Sequence, residues 1–238
     1  VASATLENKT EIKIDHINSL ELGAGYTFQD FQDKFTEFSF RDSSDFVFID
    51  EAIDAENGLR THQAFFYANH NTQLARNHSL SYGVRLHYHD ITQQFLAAPR
   101  LQYAFKPLDG RDVVYRFAAG VYQQPPFFRE FRDPQGQLNR DIQAQSSLHL
   151  IGGFDRELIF WGRPFKLTGE GYYKYLWNVN TYDIDNVKIR YNADNNATAY
   201  VYGFDMRISG EFVVNDQSWF SLGIMRTKED REGDENGY

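Results

Sequence analysis

The chain has 238 residues, a formal net charge of −9 and no cysteine, and it is 42% hydrophobic and 16% aromatic. The acidic balance speaks against a nucleic-acid partner, and the lack of cysteine removes disulfides and thiolate metal sites from consideration. No apolar run approaches the ~20 residues of a spanning helix, a test that misses β-barrels because their alternating strands average to a polar score.

Period-two alternation runs along the chain. From Ser19, Leu20, Leu22, Ala24, Tyr26 and Phe28 alternate with Glu21, Gly23, Gly25 and Thr27. From Leu80, Tyr82, Val84, Leu86 and Tyr88 alternate with Ser81, Gly83, Arg85, His87 and His89. Phe165, Leu167, Tyr173, Tyr175 and Trp177 oppose Lys166, Thr168, Glu170, Lys174 and Asn178. Tyr200, Tyr202, Phe204, Met206, Ile208 and Phe212 oppose Asp205, Arg207, Ser209 and Glu211.

The pattern predicts ten strands, near 5–15, 18–30, 61–75, 79–91, 96–106, 112–124, 145–157, 165–179, 199–212 and 217–228. A ten-residue strand at ~3.3 Å per residue, tilted by ~40°, covers roughly 25 Å, the height of an outer-membrane barrel's apolar belt. Short connections at His16–Ile17, Arg76–His78, Pro107–Arg111, Leu158–Pro164 and Val213–Asp216 alternate with long ones at 31–60, 125–144 and 180–198, with 92–95 the short exception. The expected fold is therefore all-β, an antiparallel up-and-down transmembrane barrel. Its short turns face the periplasm, its long loops the outside, and lipid surrounds its apolar face. Tyr26, Phe28, Tyr88, Tyr175, Trp177, Tyr200 and Trp219 are expected as aromatic girdles on that face. A soluble β-sandwich also alternates, but it does not need aromatics gathered at strand ends or charges on nearly every polar face. Val1 is no initiator methionine, no leader pattern follows it, and the acidic, Gly-rich end from Thr227 to Tyr238 stops in a loop. Residues 1–238 are thus expected to be an interior part of one barrel domain.

Several stretches resemble TonB-dependent outer-membrane receptors, especially those of the Bacteroidetes type. They are Pro99 to Tyr103 with Tyr115 to Glu130; Ala144 to Ser146 with Leu148-His149; Trp161 to Lys166 with Glu170 to Lys174; Asp185 to Tyr191; and Gly203 to Asp205 with Gly210 to Phe212. Their order and spacing carry the likeness over most of 61–230. The resemblance implies a 22-stranded barrel closed around an N-terminal plug, with nutrient bound outside and TonB acting on a short N-terminal box. Plug, box and final strand are not found in this sequence, and ten strands alone would leave two open edges in lipid. The expected function is TonB-dependent uptake of a siderophore, glycan, peptide or cobalamin, with TonB engaged through the missing N-terminal part. A surface lipoprotein is a possible further partner. The rival readings are a non-transporting docking or structural barrel and a passive porin.

Candidate sites follow from these faces. The segment Gln124 to Arg132 is the candidate ligand site. Phe127, Phe128 and Phe131 interleave with Arg129 and Arg132, so rings and charge could together meet a sugar, peptide or chelate, although the Phe residues could also simply pack together. Arg85, His87, His89, Arg100, Arg116, His149, Lys166, Glu170, Lys174, Asp205 and Arg207, with Asp155, are expected to face the lumen and pair with each other. His87, His89 and His149 are weighed as metal ligands and read instead as a hydrated wall. Asp183, Asp185, Asp194, Asn195 and Asn196 are weighed as a Ca²⁺ loop and read as solvated. The sequon Asn196-Ala197-Thr198 is read as chance. No phosphate loop, nucleophile elbow or paired carboxylate emerges, so no enzyme, cofactor or metal is expected.

Overall fold

The computed structural model describes residues 1–43, 46–185 and 187–233, with the backbone alone at 39–43, 46–51 and 185. Ten strands form one antiparallel sheet in sequence order. They are β1 (Ala2–Lys13), β2 (Asn18–Ser43), β3 (Phe46–Ala75), β4 (His78–His89), β5 (Gln94–Phe105), β6 (Val113–Gln124), β7 (Gln145–Phe160), β8 (Arg163–Val179), β11 (Ala197–Val213) and β12 (Asp216–Arg231). Between β8 and β11 a separate hairpin pairs β9 (Tyr182–Asp185) with β10 (Lys188–Tyr191).

Short links close one end of the sheet, and local chemistry sets each of them. Asp15 Oδ1 accepts the Ile17 and Asn18 amides, both at 2.8 Å, and so turns β1 into β2. Trp161 and Gly162 adopt positive φ (52° and 71°), as a tight two-residue hairpin demands. The other end carries the 125–144 and 180–196 segments.

The register sorts the two faces. The eleven residues expected to face the lumen all project from one face. The sheet curls toward that face, because one trough of about 1120 Å³ is lined by Glu11 on β1, Asn71 on β3, Gln102 on β5 and Glu170 on β8. The opposite, convex face carries Leu20, Tyr82, Leu101, Phe117, Leu150, Tyr173, Tyr202 and Phe204, many of them exposed.

Aromatics form two belts on the convex face. The loop-end belt holds Tyr26, Phe28, Tyr88, Tyr175, Trp177 and Tyr200, joined by His62, whose ring lies 5.1 Å from that of Phe28. A second belt stands at the short-turn end, where Trp219 alone was expected. His78, Phe105 and Tyr115 form one group within it, and Phe160, Trp161, Phe165 and Phe212 another. Trp219 departs from its expected place. It pairs with Ser209 on the concave face, and the Arg207 guanidinium lies 5.0 Å from its ring. Phe220 takes the convex position instead, across from Ile208.

The largest departure is 31–60, expected as a long loop. Its described residues, 31–43 and 46–60, form the outer half of the β2–β3 ladder, which runs to strands of 26 and 30 residues. Phe31, Asp33, Phe35 and Glu37 share its inner side with Ile53, Ala55, Asn57 and Leu59. Asp33 and Glu37 interrupt the apolar period, so the strand is hidden from a hydropathy reading. Their charges are met by cations from distant segments.

Candidate functional site

At the loop end the 125–144 segment and the β9–β10 hairpin converge on the inner side of this extended ladder. The 125–144 segment begins with Pro125-Pro126 and makes a single 3-10 turn at Phe128–Phe131. Glu130 fixes that turn. Its carboxylate accepts the Phe127 amide at 3.0 Å and the Gln145 side chain at 2.8 Å, and its carbonyl accepts Asn180 Nδ2 at 3.3 Å. Burial pushes the Glu130 carboxyl above its ordinary value, while the Phe127 amide and Gln145 pull it partly back.

Phe131, 1% exposed, packs with Leu59 and Ile142 into a small core that Phe31, Ile91, Phe128 and Leu138 extend. Its ring stacks 6.3 Å from that of His89, which is fully buried. Phe128 stacks on Phe31 at 5.2 Å, 15° from parallel. Arg132 ion-pairs with Asp33 and lies over the Phe35 ring at 4.1 Å. Gly136, at φ +86°, sits so close that a Cβ would press on Ala55 and Ile53. Asn57 Nδ2 donates to its carbonyl at 3.0 Å.

The expected ligand segment therefore divides. Phe128, Phe131 and Arg132 are used in holding the segment to the hairpin. Gln124, Phe127 and Arg129 face solvent.

Sequence reasoning missed the neighbour that completes this surface. In the β9–β10 hairpin, Tyr182 opposes Tyr191 and Ile184 opposes Ile189, so these four share a face; Asp183 and Arg190 share the other. The charged face turns toward the protein. Arg190 and Lys188 reach Glu37 Oε1 at 2.8 and 3.2 Å, and Arg231 reaches Asp183 at 3.1 Å. The Arg231 hydrogen bond, then that of Asn192, holds the Asp183 carboxyl below its ordinary value. The apolar face turns outward. Ile184 is 69% exposed and Ile189 57%, and Phe127 meets Tyr191 edge-on at 5.4 Å. The signal was present as alternation over only four residues per strand, inside a stretch read as loop.

Elsewhere the expected residues scatter. On the concave face Arg116 pairs with Asp155 at 2.8 Å and Lys166 approaches it at 3.7 Å. Arg85 lies over Phe65 at 4.0 Å and Arg100 over Tyr122 at 4.7 Å, while Lys174 sits 5.7 Å from the Tyr172 ring. These cations stack on aromatic rings where pairing with carboxylates was expected. Glu170 and Asp205 stand directly opposite one another. His149 lies three strands from His87 and His89, roughly 14 Å at the usual strand spacing. It bonds Ser147 instead, at 2.9 Å. Among the described residues no three His, Asp or Glu side chains gather as a metal site. In the 180–196 segment, Asp194 and Asn196 accept from the buried Thr181 hydroxyl, and Asn195 donates to the Gln143 and Asn178 carbonyls. The Asp185 side chain lies outside the described residues.

No protein-family model and no curated protein matches the chain. Solved structures do. The copper transporter OprC superposes with a TM-score of 0.72 at 14% identity, over 95% of this chain and 38% of its own. The siderophore receptor PirA from Pseudomonas aeruginosa gives 0.66 at 14%, over 94% and 40%. The outer membrane transporter YddB from Escherichia coli gives 0.69 at 11%, over 95% and 33%. The likeness is one of fold, and this chain spans well under half the length of each. Its ten-stranded antiparallel sheet is the fold of part of an outer-membrane transporter barrel.

Proposed function

We propose that the chain is part of the barrel wall of a TonB-dependent outer-membrane importer, of the kind its motifs resemble. One observation carries the reading: a curved sheet places the eleven charged or histidine residues on its concave face and two aromatic belts on its convex face. That polarity suits a wall with water inside and lipid outside. The nutrient meets the outer end at Phe127, Tyr191, Tyr182 and Arg129, where the exposed Phe127 and Tyr182 rings flank a half-buried Tyr191 beside a cation. Siderophores, glycans, peptides and cobalamin all offer groups for such a surface. Transport energy comes through TonB, and this chain performs no catalysis.

The test uses the native protein extracted from outer membranes. A mass several times that of this chain, with nutrient uptake that stops when TonB is removed, is the expected result. A mass near that of this chain, with uptake indifferent to TonB, would replace the importer with a porin.

A second reading is favoured by the outward apolar face of β9–β10: docking of a surface lipoprotein on Ile184 and Ile189. Loss of a co-purifying partner from an Ile184→Asp, Ile189→Asp protein that still imports would separate docking from nutrient capture.

A further inference from the structure

The convex face holds a groove of about 490 Å³ over β6, β7 and β8. Ala119, Gly152 and Gly171 form its floor; Leu101, Phe117, Leu150 and Tyr173 rise around it. Gly152 and Gly171 are direct cross-strand partners.

Several other strand glycines have visible reasons to be glycine, although Gly58, in the outer half of the β2–β3 ladder, is as open as these two. A side chain would collide with the Tyr67 ring at Gly23, Phe65 at Gly25, Phe154 at Gly169, Tyr172 at Gly203 and Phe165 at Gly210. At Gly171 a Cβ would meet nothing nearer than 3.9 Å, and at Gly152 only the Phe117 ring at 3.6 Å, an ordinary contact. Neither glycine has positive φ. Glycine inside a strand weakens it and often marks a place where something outside the strand approaches closely. Among the described residues nothing fills the hollow that these two keep open.

Position identifies the occupant. On β8 the groove sits between Phe165 of one belt and Trp177 of the other. Among the described residues no charged side chain lines it. Tyr172 turns its ring to the other face, so the polar side chains on this face are Tyr103 and Tyr173, and the Tyr103 hydroxyl is already bonded to His78 Nδ1. We propose that the groove is a binding site for one acyl chain of a membrane lipid; this rests on the barrel reading, which places it in hydrocarbon. Its lining is continuous with the lipid-facing surface on both sides, and it offers a chain methylene contacts without a buried polar group to satisfy.

The experiment is native mass spectrometry of the full protein released gently from outer membranes. The variants are Gly171→Leu, which fills the floor, Gly171→Ala as a milder filler, and Ala97→Leu on the convex face of β5 as a control outside the groove. The expected result is a lipid adduct on wild type and Ala97→Leu that falls several-fold in Gly171→Ala and disappears in Gly171→Leu. Equal adducts on all four proteins overturn the proposal. So does an adduct-free wild type that runs as a dimer which Gly171→Leu dissociates, because the occupant is then a second copy. Should Gly171→Leu fail to assemble, Gly171→Ala against Ala97→Leu decides alone. A protein found outside the membrane fraction overturns the barrel reading with it, whereas a membrane barrel with unchanged adducts overturns only the groove.

Discussion

Arg132 and Asp33 stand 99 positions apart in sequence and meet as a partly buried ion pair, tying the 125–144 segment to the inner side of the β2–β3 ladder. Removing one partner strands the other charge in a site of 18–30% side-chain exposure. We expect Asp33→Ala to loosen the segment by about 1–3 kcal/mol. Hydrogen exchange should accelerate at 127–139 and stay unchanged at 145–157. The double variant Asp33→Arg with Arg132→Asp should recover part of the protection. Unchanged exchange in the single variant would show that the pair contributes nothing.

Phe131 is the centre of the small outer core. Truncation to alanine is expected to cost about 3–5 kcal/mol locally, the usual price of emptying a buried phenyl site. The segment should become sensitive to protease while the sheet keeps its heat resistance. Equal protease resistance in Phe131→Ala would mean that the Glu130 hydrogen bonds suffice to hold it.

Glu130 should make that attachment pH-dependent. Its folded carboxyl is raised by burial, so the folded segment favours the protonated form. The stabilisation is complete below the unfolded glutamate pKa and is lost as pH rises through the higher folded value. Protection of the Phe127 amide, corrected for intrinsic exchange, should therefore fall across that window. In Glu130→Gln the fall should vanish. Protection that increases with pH would contradict the sign.

Two of the three tryptophans report the faces. Trp177 lies on the convex belt and should be quenched by brominated acyl chains in reconstituted bilayers. Trp219, on the concave face beside Arg207, should be quenched by aqueous iodide instead. Single-tryptophan proteins would show this directly. Quenching of Trp219 by lipid would move β12 by one residue in register.

On the importer reading proposed above, Phe127→Ala and Arg129→Ala should each weaken nutrient binding by about 1–2 kcal/mol, or roughly 5- to 30-fold in Kd. Phe128→Ala should act mainly on segment stability. Titration calorimetry against the imported nutrient distinguishes the two classes, and equal losses in all three would argue against a separate contact surface.

The ten strands and the sorting of charge to one face were legible because side-chain alternation is a local property. Arg85, Lys174 and Asp205 needed only their own neighbours to be placed. Three features needed information from elsewhere in the chain. Asp33 and Glu37 break the apolar period of β2, and their partners Arg132, Lys188 and Arg190 lie far along the sequence. Trp219 and Phe220 are adjacent and both aromatic, so only pairing with β11, beyond the irregularity between Gly210 and Val213, decides which one faces outward. Phe127 and Phe131 look alike in sequence. They differ because Leu59 and Ile142 converge on one, while the other is exposed and meets a tyrosine edge.

β1 and β12 border the sheet, and β1 is exposed along its whole length. Each border presents a row of amides and carbonyls that hydrocarbon cannot satisfy, at several kcal/mol for each group. In the proposed wall both rows are met by neighbouring backbone, so a substitution that breaks backbone pairing at either border is felt through the closure as a whole rather than at one strand.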